Sequence, residues 1–253
     1  MLVPTLFIAV LGLLVGSFAA VLAYRIPIGE SPWTGRSHCD SCGETVAAYD
    51  NIPLVSWLLL RGKCRHCGTP IPARYPLTEL VVAAGFAGSY LAFEDDGWAW
   101  VALGCVFIAM LATITLTDLE DRIIPNVVLG PAAIIGIALV AAADTGELPG
   151  HLIAAAIAGG FLLVVTFLYP RGMGMGDVKL AAVMGIYLGR AVAPALLIGF
   201  AAGALFGIGL IARHGSSARK MKAPFGPFIA LGAVIALFWG DDMVDWYLDS
   251  FFD

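Results

Sequence analysis

The chain has 253 residues, of which 60% are hydrophobic and only 13% are charged, and its formal net charge at pH 7 is -5. Its mean hydropathy of +0.89 excludes an ordinary soluble domain and is typical of a polytopic membrane protein. The composition therefore predicts an all-α fold that crosses a lipid bilayer several times, and no nucleic-acid partner is expected.

Apolar segments along the chain predict about eight transmembrane helices. They span residues 2–24, 77–93, 98–117, 123–143, 151–169, 178–188, 191–212 and 224–239. The sixth is short for a bilayer crossing and ends at Gly189 and Arg190, which predicts a tilted or broken helix. The first has no basic start and no small-residue cleavage site after it, so we interpret it as a membrane helix rather than a removed signal.

The basic residues fall almost entirely on one side once these segments alternate across the membrane. That side carries Arg25, Arg36, Arg61, Lys63, Arg65, Arg74, Arg122, Arg171, Lys179, Arg213, Arg219, Lys220 and Lys222. Only Arg190 falls on the other side. Because Lys and Arg are enriched in cytoplasmic loops, the long first loop is predicted to be cytoplasmic and both termini to lie outside. The predicted regions are a first helix at 1–24, a cytoplasmic domain at 25–76 and a membrane domain of about seven helices at 77–253.

The cytoplasmic domain contains two cysteine pairs with metal-ligand spacing. Cys39 and Cys42 form one pair, and Cys64 and Cys67 form the other, each followed by a glycine that permits a left-handed turn. A domain of about 50 residues without a long apolar period cannot build a sufficient hydrophobic core and needs a bound metal or disulfides for stability. Four thiolates suit a closed tetrahedral zinc site with a structural role. Two redox dithiols are the alternative, although a cytoplasmic location favours reduced cysteines.

Two aspartates stand where a charged group in an apolar segment is costly. Asp118 ends the third segment, and Asp177 begins the sixth within Gly174-Met175-Gly176-Asp177. Both ends are on the predicted cytoplasmic side, so the two carboxyl groups can meet, share one proton and act as general acid and base on a peptide bond. Gly174 and Gly176 leave backbone uncovered, against which an extended substrate strand can lie. The alternatives are solvated charges paired with Arg122 and Lys179, or a cation site of an ion-coupled transporter.

Two further charged residues are candidates for contact with substrate. Glu79 begins the second segment, where its carboxylate can bind an amine or pair with Arg74. Lys179 can hold substrate or anchor its helix end by snorkelling.

Several motifs together resemble the type IV prepilin peptidases, the membrane aspartyl proteases of the GxGD class. The similar stretches are Gly16-Ser17-Phe18, Tyr24-Arg25-Ile26-Pro27, residues 50–58, Arg74-Tyr75-Pro76-Leu77-Thr78-Glu79, Asp118 with Pro125, the tetrad ending at Asp177, and Pro224-Phe225-Gly226-Pro227-Phe228. The resemblance implies that Asp118 and Asp177 are catalytic and that Pro224, Phe225 and Gly226 contact substrate.

The resemblance also implies a reaction and a location. Members cleave the short basic leader of prepilin or pseudopilin precursors at the cytoplasmic face of the bacterial inner membrane, usually after a glycine. Those with the cysteine domain then methylate the new N-terminus using S-adenosylmethionine. Ala20 stands where the family usually has asparagine, and Asn126 where it usually has aspartate. The first departure touches the region associated with methylation, so a leader peptidase whose zinc domain only docks substrate is the alternative.

Overall fold

The computed structural model describes residues 2–169, 173–215 and 224–252, and in these ranges the chain is helical, with isolated β-bridges but no β-strand. The helices are α1 Leu2–Arg25, α2 Val55–Leu59, α3 Arg74–Phe93, α4 Trp98–Glu120, α5 Asn126–Ala143, α6 Leu148–Leu168, α7 Met175–Leu188, α8 Val192–His214 and α9 Gly226–Phe252. Two 3₁₀ turns lie at Ala48–Asn51 and Gly189–Ala191. The predicted all-α membrane fold with a small cysteine-rich domain is confirmed.

One end of the helix bundle carries the cysteine-rich domain, and we call it the domain end. Arg25 closes α1 there, Arg74 opens α3, and the Arg74 Nε atom lies 3.0 Å from Glu120 Oε1 at the end of α4. The opposite, distal end carries Arg190, which donates to Asp241 at 2.7 Å and to Asp245 at 2.6 and 2.9 Å.

The distribution of basic residues follows this division. Within the described ranges Arg190 is the only Lys or Arg at the distal end, whereas Arg171, Arg219, Lys220 and Lys222 lie outside the described residues. The predicted grouping by charge therefore matches the bundle. Which compartment faces the domain end stays a prediction.

The short sixth segment and the seventh form two separate helices, α7 and α8, that run in opposite directions. By length and hydropathy seven helical stretches are long and apolar enough to span a membrane, and the 40 residues Met175–His214 count as one of them. Gly176 lies against Ile124, and Gly203 lies against Phe225 near the start of α9, so α7 begins and α8 ends at the domain end. The chain reverses at Gly189, whose φ of 53° favours glycine. Helix α7 is only about 21 Å long, shorter than the roughly 30 Å hydrocarbon core.

Helix α7 lies at the centre of the packing. Leu180, Ala181 and Met184 are completely enclosed, and Gly185 lets α6 approach so closely that a Cβ at position 185 would overlap the backbone of Ala155. Small residues at helix contacts permit this approach in lipid, where van der Waals packing stabilises the bundle. Asp177 therefore lies within one turn of the enclosed part of the central helix.

Gly185→Ala is expected to destabilise the protein by about 1–3 kcal/mol, because its methyl group must separate α6 from α7. Thermal unfolding in detergent measures the change. Gly160→Ala is the matched control, since a Cβ at Gly160 on the neighbouring helix meets no atom within 4 Å. Equal melting temperatures for the two variants would contradict the packing argument.

Candidate active site

Asp118 lies in the last turn of α4 and is 7% exposed. Its Oδ2 atom accepts a hydrogen bond from the main-chain N–H of Gly226 at 2.7 Å, across 108 residues of sequence. The first N–H groups of a helix have no partner within that helix. Asp118 therefore satisfies one such group at the start of α9 and is held between two helix ends.

Asp177 lies in the first turn of α7 and is 9% exposed. The N–H of Gly174, which precedes the helix, donates to Asp177 Oδ2 at 3.1 Å. An acidic side chain at this position caps the helix and is stabilised by its dipole. In the tetrad Gly174-Met175-Gly176-Asp177, the last residue thus caps the start of the helix by binding the N–H of the first.

The structure brings the two aspartates together at the domain end. Asp177 experiences the charge of Asp118, and the segments that carry them touch, since a Cβ on Gly176 would lie 2.9 Å from Ile124 Cβ. Neither aspartate forms an ion pair within the described parts of the chain. Their place at helix ends is that of a boundary site, which argues against the midplane site of a transporter.

Lys179 does not pair with Asp177. Its Nζ atom donates to Asn126 Oδ1 at 2.9 Å, which links the start of α7 to the start of α5. Asn126 is one of the two positions, with Ala20, at which the sequence departs from the family pattern. Substrate contact by Lys179 stays a prediction.

The predicted ion-pair alternative for Glu79 is wrong, because Arg74 pairs with Glu120 instead. Buried Glu79 accepts the N–H of Leu54 on its Oε2 atom at 2.7 Å. Leu54 has a φ of 60°, which is unusual for a residue with a branched side chain. Glu79 therefore joins α3 to a strained turn of the cysteine-rich domain.

The four predicted cysteine ligands converge. Their sulfur atoms all lie within 4.8 Å of one another, and Cys39 Sγ is 3.7 Å from Cys67 Sγ. Zn–S bonds of about 2.3 Å in a tetrahedron place sulfur atoms roughly 3.8 Å apart, so the donor set fits zinc. All four are free thiols rather than disulfides. The predicted cluster of four cysteines is present, while the binding of zinc to it stays a proposal.

The two cysteine pairs share one backbone design. Gly43 and Gly68 have φ values of 71° and 72°, which confirms the predicted left-handed turns. Each glycine N–H donates to the carbonyl of the first cysteine of its pair, at 2.8 and 3.0 Å. The Tyr24 hydroxyl at the end of α1 also donates to Asp40 Oδ1 at 3.0 Å. This bond connects the turn of the first cysteine pair directly to the membrane helices.

A cavity of about 290 Å³ lies between the cysteine-rich domain and the domain ends of α1 and α3. Ala20 and Glu79 line its membrane side, and Asp50 and Arg65 line its domain side. Arg65 donates to Asp50 at 2.7 and 2.5 Å and lowers the pKa of that carboxyl. Sequence reasoning missed this cavity, because it forms only when the domain docks on the helices.

Comparison with known proteins agrees with these features. The family descriptions "Bacterial Peptidase A24 N-terminal domain" and "Type IV leader peptidase family" match residues 10–93 and 105–208. A prepilin leader peptidase/N-methyltransferase of Aeromonas hydrophila is 34% identical, covering 94% of this chain and 92% of its own. Proteins of the same name from Bacillus subtilis (strain 168) and Burkholderia pseudomallei (strain K96243) are 34% and 35% identical, covering 94% and 92% of this chain and 96% and 85% of their own. No solved structure matches the chain.

Proposed function

Because the chain belongs to the type IV leader peptidase family, we propose that it cleaves the leader of prepilin-like precursors with Asp118 and Asp177 as the catalytic pair. The observation that carries the proposal is the convergence of two buried carboxyl groups at one end of the bundle, each with one oxygen on a main-chain N–H. Neither carboxylate forms an ion pair among the described residues, and Arg122 acts on Asp118 only through its charge. This is the environment in which two carboxyl groups share a proton.

The reaction follows from that shared proton. The ionised carboxylate removes a proton from water while the water oxygen bonds to the scissile carbonyl carbon, and the other carboxylic acid protonates the carbonyl oxygen. Collapse of the tetrahedral intermediate breaks the C–N bond. The leaving amine takes the proton gained from water, and one hydroxyl of the intermediate returns its proton to the second carboxylate as the new carboxyl group forms. The pair then returns to its starting state with one proton between two carboxyl groups.

The position of the pair suits a substrate that is polar before the cleaved bond and apolar after it. The dyad lies at the domain end, where Lys and Arg collect, and these residues indicate the cytoplasmic side of the inner membrane. A precursor with its apolar helix in the bilayer presents its leader at this depth. Gly174 and Gly176 lie within three residues of Asp177, and Pro224 and Phe225 directly precede Gly226, which binds Asp118. These four residues are proposed to contact the extended segment around the cleaved bond.

A second activity is proposed for the cavity beneath the cysteine-rich domain. A volume of about 290 Å³ lies just under the roughly 300–1,000 Å³ of small-molecule sites, and it suits S-adenosylmethionine extending partly into solvent. That cofactor would supply a methyl group to the new N-terminal amine, and the Glu79 carboxylate is placed to bind an ammonium group. Structural zinc on the four cysteines would hold the domain over the cavity. Ala20, which replaces the usual asparagine of the family, lines the same cavity. A peptidase without methyltransferase activity is therefore the alternative.

Purified protein incubated with a synthetic precursor and S-adenosylmethionine is expected to release the leader and to leave a mature segment heavier by one methyl group. Mass spectrometry of both products measures this. Omission of S-adenosylmethionine is the control and should leave cleavage intact without added mass. An unmethylated product would favour the docking role of the domain, and an uncleaved precursor would refute the proposed function.

A further inference from the structure

Gly226 at the start of α9 packs directly against the Asp118 side chain, in addition to its hydrogen bond with that side chain. Gly226 is buried, and its N–H reaches Asp118 Oδ2 at 2.7 Å. A Cβ built on Gly226 would lie 2.7 Å from the same Oδ2 atom, 3.1 Å from Cγ and 3.2 Å from Cβ of Asp118. Real Cβ atoms are not found at the first of these distances, so any side chain at position 226 must displace the carboxyl group.

The other aspartate has no such constraint from its glycine. A Cβ on Gly174 would lie 3.5 Å from Asp177 Oδ2, which is an ordinary van der Waals contact. The two glycines therefore differ in what they do. Gly174 supplies an N–H in a place that tolerates a small side chain, whereas Gly226 supplies an N–H in a place that does not.

The turn that presents Gly226 is itself held by aromatic packing. The Phe225 ring stacks on Phe200 of α8 with ring centroids 5.5 Å apart and an interplanar angle of 20°. Gly203 makes room for that ring, since a Cβ there would lie 2.8 Å from Phe225 Cε2. The Phe225 carbonyl then accepts the N–H groups of Phe228 and Ile229 at 3.1 and 3.2 Å and starts α9. Helix α8 thus fixes Phe225, and Phe225 fixes the adjacent N–H.

Resting on the proposed function, we propose that Gly226 is a positioning residue of the peptidase reaction, which orients the Asp118 carboxyl toward Asp177 through its N–H and its lack of a side chain. The N–H occupies Oδ2 and directs Oδ1 elsewhere, where it can meet water or the scissile carbonyl. The sequence resemblance assigns Gly226 to substrate contact instead. The two roles differ in kinetics, because loss of positioning lowers kcat and loss of substrate contact raises KM.

Gly226→Ala tests this role. We expect kcat for cleavage of a synthetic precursor to fall about 100-fold, the loss associated with a displacement of roughly 1 Å. KM is expected to stay unchanged, and the pH–rate profile to shift because the surroundings of one carboxyl group of the pair have changed. Gly207→Ala is the matched control on α8, where a Cβ meets no atom within 4 Å, and it should leave kcat, KM and the pH profile as in the unmodified protein.

A stability cycle tests the contact without relying on activity. Gly226→Ala is expected to lower the melting temperature in detergent, and Asp118→Ala in the same chain should restore most of the loss by removing the two closest contacts. An equal loss in both backgrounds would overturn the proposal. So would unchanged kcat and pH profile in Gly226→Ala, or a rise in KM alone. If the unmodified protein cleaves no precursor, the proposed function fails while the cycle still reports on the contact.

Discussion

Replacing Asp177 with asparagine is expected to lower the rate of leader cleavage by about 10²- to 10⁴-fold, the range for loss of a general acid or base. Asparagine has the shape of aspartate, and its amide oxygen can still accept the Gly174 N–H that now reaches Oδ2 at 3.1 Å. The start of α7 should therefore keep its structure. Only the proton that the pair exchanges with water and the carbonyl oxygen is lost, so kcat should fall while the melting temperature holds.

The same reasoning gives the control and the second variant. Asp118→Asn should lose cleavage to a similar extent, because an amide cannot take up or release the shared proton. Its amide oxygen can still accept the Gly226 N–H, so the structure around position 118 should be kept. Asp121→Asn lies three residues further on, is exposed, and should cleave normally. The rates are measured with purified protein and a synthetic precursor. Full activity in either Asp118→Asn or Asp177→Asn would show that the assignment of the catalytic pair is wrong.

The convergence of the two aspartates could be predicted because the distribution of Lys and Arg assigns each helix end to one face of the membrane. That assignment does not require knowledge of how the helices pack. The Lys and Arg pattern assigns the end of α4 and the start of α7 to one face, although 59 positions separate Asp118 and Asp177. The structure has both carboxyl groups at the domain end. What the pattern cannot give is orientation, since the N–H on Asp118 comes from Gly226, whose neighbourhood depends on α8, α9 and the aromatic contact of Phe225.

The other features differ in whether they depend on local sequence spacing, which can be predicted, or on how distant elements pack, which cannot. Each cysteine pair forms its own turn, so the sequence alone predicts the cluster of four sulfur atoms. The cavity and the bond from Leu54 to Glu79 depend on how the domain sits on α3, which no local pattern records. The charge of Lys179 left two interpretations open, and its bond to Asn126 depends on the packing of α5 against α7.

Loss of zinc is expected to separate the two proposed activities. Cys67→Ser removes one of the four proposed zinc ligands, whose sulfur atoms lie within 4.8 Å of one another. Structural zinc sites contribute about 10–16 kcal/mol of binding free energy in small domains, and that energy is folding energy. We therefore expect the variant to lose its metal and the structure of residues 25–76, which contribute walls of the cavity, and methylation should stop.

Cleavage is expected to persist in Cys67→Ser, because the hydrogen bonds that hold Asp118 and Asp177 come from Gly226 and Gly174 of the membrane helices. Elemental analysis of the purified protein measures zinc, and mass spectrometry measures cleavage and methylation together. Cys105→Ala is the matched control, since the fifth cysteine lies in α4 away from the cluster and should leave zinc and both products unchanged. Retention of zinc and methylation by Cys67→Ser would contradict the structural role, whereas loss of cleavage along with methylation would mean that the domain also presents the leader to the aspartates.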